Sequence, residues 1–69
     1  MHTATPTELA QARALSTQRH ATADSLPLNS SAWADAVRAA ADVDGWISAA
    51  VYGPVRRSFA QVARASIPA

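Results

Sequence analysis

Between Trp33 and Ala41, apolar side chains recur at i, i+4, i+7 and i+8 (Trp33, Val37, Ala40, Ala41), while Asp35, Arg38, Ala39 and Asp42 fill the opposite side. Such spacing places side chains on one face of an α-helix. It predicts an amphipathic helix with Ser30 or Ser31 as its N-cap and Asp35 in its first turns, where a carboxylate complements the helix dipole. Asp42-Val43-Asp44-Gly45 breaks the stripe, and Asp44 is suited to cap a short following helix carrying Trp46, Ile47, Ala50 and Val51. Gly53-Pro54 ends that element, because proline inside a helix loses a hydrogen bond and clashes with the preceding turn. Beyond it Val55, Phe59, Val62 and Ser66 fall within about 60° of one another at 100° per residue, predicting a last helix begun at Pro54.

The amino-terminal part reads differently. Thr5 and Glu8 have the spacing of a capping box, with Pro6 at the first helical position, where its missing N–H costs nothing. Good helix formers follow from Ala10 to Leu15, but Leu9 and Leu15 lie about 120° apart around the helix. Propensity rather than burial supports this helix, and an isolated helix of that length is marginal in water. Asp24, Ser25, Pro27, Asn29 and Ser30 are turn and cap formers, so the stretch reads as a linker. The chain is expected to be all-α: a partner-dependent N-terminal helical arm (1–24), a flexible linker (25–30) and a small domain of three short helices (31–67). Most of the large apolar residues lie between Trp33 and Ile67, and no strand alternation or internal repeat competes.

Composition sharpens this picture in one respect. Hydrophobic residues make up 49% of the 69-residue chain, but more than half of them are alanine, which favours helix and buries little. So thin a core points to self-association or to a partner that completes it. There is no Cys, hence no disulfide and no thiolate metal site. No apolar run approaches a membrane span, and Met1-His2-Thr3-Ala4-Thr5-Pro6 lacks the basic-then-apolar pattern of a signal peptide, so a cytoplasmic location is expected.

Candidate chemistry is sparse. His2 and His20 have no carboxylates at ligand spacing, so no metal is expected. Asp42-Val43-Asp44-Gly45 fails as a calcium loop, because alignment on Gly45 puts Ala40 and Val51 at ligand positions. Two glycines cannot form a phosphate-cradling loop, and nothing suggests a nucleophile elbow. The expectation is a non-enzymatic protein without a cofactor.

Two sets of residues suggest binding. All basic residues are arginine, and beyond Gly53 there are three arginines and no acid, although the net charge is only +1. On the last predicted helix Arg57, Gln61 and Arg64 stand at i, i+4 and i+7 opposite the apolar stripe, with Arg56 on the flank. Their fork-like donors suit guanine, adenine and phosphate oxygens. Ala49, Gly53, Phe59 and Val62 resemble the helix-turn-helix pattern over about residues 45–66, in which a small residue lets two helices cross and glycine opens the turn. Ser48, where an apolar residue is usual, and Pro54, directly after the glycine, depart from it. The resemblance implies a small regulator, dimeric, binding DNA through its last helix. The alternative is a helical interaction module or small subunit docking on a larger protein. It rests on the segment around Trp46, Ile47, Val51 and Tyr52, which is apolar almost all round.

Overall fold

Three α-helices and no strand occur among the residues described by the computed structural model, 1–65. They are α1 (Pro6–Asp24), α2 (Ser31–Tyr52) and α3 (Phe59–Ala65). The expected continuation of the last helix through Ser66 and Ile67 lies outside the described residues.

Local chemistry sets the start of each helix. The Thr5 side chain accepts from the Glu8 amide, and Glu8 Oε1 accepts from the Thr5 amide, both at 3.1 Å. With Pro6 at the first position, this is the expected capping box. α1 gives way to a tight reversal in which Asn29 takes φ 65°, a left-handed conformation that asparagine tolerates better than most residues. The Ser30 hydroxyl then caps α2 by accepting from the Trp33 amide at 3.1 Å.

α2 differs from expectation in two ways. It runs unbroken through Asp42-Val43-Asp44-Gly45 for 22 residues, about 33 Å at 1.5 Å per residue, and sets the 37 Å long dimension of the molecule. Asp44 is no cap: its carboxylate binds the Ser16 hydroxyl and His20 Nε2, both on α1. A glycine inside a helix costs roughly 1 kcal/mol, whereas burying one large apolar side chain yields about 1.5–3 kcal/mol, so the burial of Val43 and Trp46 on either side outweighs Gly45. The buried face is also turned. Ala40, Val43 and Trp46 face inward, while Val37 and Ala41 of the predicted stripe are exposed.

α1 shares this core. Leu9 and Leu15 straddle Ala12, which is fully buried about 60° from each. Ala23, also buried, falls within about 20° of the same line. The buried line of α1 is therefore built on alanine methyls, with the two leucines packed against the core on either side of Ala12.

Gly53 ends α2 as expected, in an extended conformation with its amide bonded to the Ala49 carbonyl at 3.1 Å. Pro54 does not open a helix, however. Val55 is drawn into an antiparallel pairing with His2, with two backbone hydrogen bonds of 2.7 Å, and its side chain is buried. α3 starts at Phe59 because Ser58 and Gln61 form a second capping box: the Gln61 amide donates to Ser58 Oγ at 3.3 Å and the Ser58 amide to Gln61 Oε1 at 2.8 Å. Only two helices, not three, thus occur between residues 31 and 65. Ala12, Val43, Trp46, Val55 and Val62 make one core, and Phe59 meets the Trp46 ring edge-on at 5.9 Å.

Candidate functional site

The arginine row predicted on the last helix is not a helix face. Arg57 precedes α3, its guanidinium pairs with Asp42 at 3.0 Å, and its carbonyl accepts the Trp46 indole N–H at 2.8 Å. Gln61 is occupied in the cap of α3. Arg56 and Arg64 are exposed, and neither side chain has a hydrogen bond or ion pair among the described residues. The segment joining α2 to α3 covers residues 53–58, and α3 has only 7 residues.

The apolar set divides as well. Trp46 is 4% exposed and belongs to the core, so its expected place on a partner surface is corrected, and Ile47 is half-buried against the same core. Val51 and Tyr52 remain outside, 58% and 90% exposed. They continue an outer face of α2 that includes Val37, Ala41, Gly45 and Ser48, all exposed and uncharged. At 100° per residue these six positions fall within a sector of about 120°.

Three polar clusters join elements far apart in the sequence. Glu8 holds the first: Oε1 accepts from His2 Nε2 at 2.6 Å besides the Thr5 amide, and Oε2 accepts from the Phe59 amide at 3.0 Å. Donation from Phe59, then from Thr5 and His2, lowers the Glu8 pKa to about 2. One carboxylate thereby caps α1 and binds the first amide of α3. In the second cluster the Asp44 carboxyl is held below its ordinary range, first by the Ser16 hydroxyl and then by His20 Nε2 at 2.7 Å. The acid stands between serine and histidine, whereas in a catalytic triad the histidine stands between serine and acid and can take the serine proton.

Arg19 forms the third cluster, donating from Nη1 to the Ala39 carbonyl at 2.9 Å and from Nη2 to the Ala63 carbonyl at 3.2 Å. It tethers α1 to both other helices. Beside it a hollow of about 500 Å³ opens between the helices, walled by Leu15, Leu26, Ala32, Ala36, Ala39 and Ala63.

Apart from the Thr5–Glu8 capping box, none of these contacts was legible from spacing, since their partners lie 6 to 51 residues apart in sequence. Among the described residues no group of three or more His, Cys, Asp or Glu is arranged to hold a metal ion, and no helix is long and apolar enough to cross a membrane. Comparison with protein-family models, curated proteins and solved structures finds no match for this chain.

Proposed function

We propose that this protein is a small helical interaction module that docks the outer face of α2 on an apolar helix of a larger protein. The observation carrying this reading is the outer face from Val37 to Tyr52, with exposed uncharged large residues at its ends and Ala41, Gly45 and Ser48 in its middle; the acid in the same sector, Asp44, is half-exposed and bonded to Ser16 and His20 of α1. Two packed helices are closest where they cross and diverge beyond, so small residues in the middle and larger ones at the ends suit a crossing partner helix. Tyr52 offers an anchor with an apolar ring and a polar tip, the kind of residue that dominates interface energies. A second copy fits less well. Laid antiparallel over the whole face, it would bring Asp44, near the midpoint, against its own counterpart, and like charges repel.

A photo-crosslinking residue placed at Tyr52 in cells, with one at Thr17 on the exposed side of α1 as control, tests the reading. One adduct is expected from position 52 alone, lost when Val37→Asp is added while the melting temperature stays put. An adduct of twice the chain mass would identify a second copy, and no adduct would defeat the proposal.

A DNA-binding reading rests on Arg56 and Arg64 and on the lack of acids after Asp44. Two phosphate contacts correspond to a salt slope of only about −1.8, against 6–10 contacts in strong binders, which is why the module is preferred. Salt-sensitive binding to duplex DNA, lost in Arg56→Ala/Arg64→Ala, would reverse that preference.

A further inference from the structure

We infer that the hollow between the three helices is a binding site for a medium-chain aliphatic carboxylate, with Arg19 receiving the acid and the alanine-lined wall receiving the chain. The shape follows from side-chain size. Ala32, Ala36 and Ala39 recur at i, i+4 and i+7 on α2, and Ala63 meets them from α3, so methyl groups alone fill a place where larger side chains would close the gap. Leu15 and Leu26 wall the other side from α1 and the turn after it. The resulting volume, about 500 Å³, lies within the range of small-molecule sites. A chain of methylenes laid there removes apolar surface from water on both partners.

Charge selects the head group. Arg19 is half-buried in this wall, and among the described residues its guanidinium has no carboxylate partner; two of its five N–H groups are spent on the Ala39 and Ala63 carbonyls. The remaining donors suit a carboxylate, which a partly desolvated guanidinium binds by short, charge-assisted hydrogen bonds. The other ionised group lining the hollow, Asp35, is engaged by Arg38 at 2.8 Å, which offsets its repulsion of an anion. Gln18 and Thr22 supply neutral hydrogen-bonding groups along the same side of α1. A neutral alcohol of equal length would keep the chain contacts and forgo the ionic ones.

Calorimetric titration of the full chain with sodium decanoate, held below micelle formation, and with decanol tests the site. Decanoate is expected to bind saturably at one per chain, to raise the melting temperature, and to bind about tenfold or more tighter than decanol. Ala36→Phe fills the hollow and should weaken decanoate at least tenfold with helix content unchanged. Methyl NMR of the unaltered protein keeps the test independent of how that variant folds: decanoate should shift the Ala32, Ala36 and Ala39 methyls and leave in place the Ala41 methyl on the outer face of α2 and the exposed Ala49 methyl beside it. Absence of saturable binding, equal affinity for decanol, or shifts confined to the outer face would overturn the site. Sedimentation of the same samples separates this occupant from another: self-association abolished by Ala36→Phe and indifferent to decanoate would place a second chain in the hollow and overturn the ligand.

Discussion

Gly45→Ala should make this protein more stable, and its sign tests whether α2 is continuous. Gly45 is the fifteenth of the 22 residues of α2, is exposed, and has no positive φ. A Cβ built on it meets nothing within 4 Å, so the substitution introduces no clash. Within a helix, alanine is favoured over glycine by about 0.8–1.0 kcal/mol, chiefly because glycine loses more backbone freedom on folding. A chain of 69 residues has a total stability of roughly 3–10 kcal/mol at 0.05–0.15 kcal/mol per residue, so the gain is a large fraction. In a domain this size 1 kcal/mol moves the melting temperature by about 4–8 °C, and thermal unfolding followed by far-UV circular dichroism resolves such a shift easily. Gly53→Ala is the control, being extended, just past the helix end, and equally free of clashes. Alanine there narrows the unfolded ensemble without a helical gain, so it should raise stability less. If Gly45→Ala leaves the melting temperature unchanged or lowers it, α2 is interrupted at residues 42–45 and the buried face built on Ala40, Val43 and Trp46 is wrong.

Trp46→Ala removes a buried indole, its edge-on contact with Phe59 and its hydrogen bond to the Arg57 carbonyl, and should cost about 3–5 kcal/mol. Urea unfolding followed by the fluorescence of Trp33 measures it, and a cost below about 1 kcal/mol would return Trp46 to the surface. Because Glu8 has its carboxyl lowered from about 4.5 to about 2 in the fold, its ionised form favours the folded state; that contribution is complete above the unfolded value and is lost as pH falls through about 2. Acid titrations of stability should therefore show a limb between about pH 4.5 and 2 that shrinks in Glu8→Gln, and an unaltered limb would remove Glu8 as the link between α1 and α3. Ser58→Ala removes the hydroxyl that caps α3 and should cost about 1 kcal/mol, with faster amide exchange at Gln61; undiminished protection there would show that α3 does not depend on the cap.

The parts of the fold that sequence determines here are those whose causes are local. Thr5, Pro6 and Glu8 start α1, Ser30 starts α2, and Gly53-Pro54 stops it, each through groups within a few residues of one another. The Ser58–Gln61 box belongs with them, and its spacing was there to be read in place of Pro54 as the start of the last helix. The all-α class follows from these signals and from helical periodicity. The Val51–Tyr52 end of the apolar segment was likewise visible as a candidate surface, while Trp46 beside it was indistinguishable in pattern and is buried. What tertiary structure decided was which face turns inward and which polar groups are spent. α2 stays whole because Val43 and Trp46 are buried on either side of Gly45, with Asp44 spent on Ser16 and His20 rather than on a cap, and Arg57 leaves the proposed nucleic-acid face because Asp42 and Trp46 engage it. Glu8 joins His2, Thr5 and Phe59, and Arg19 reaches two other helices. In so alanine-rich a chain, large residues alone do not mark the contact faces. Ala12, Ala23 and Ala40 are buried as well, and which of the many alanines are buried depends on how the whole chain packs.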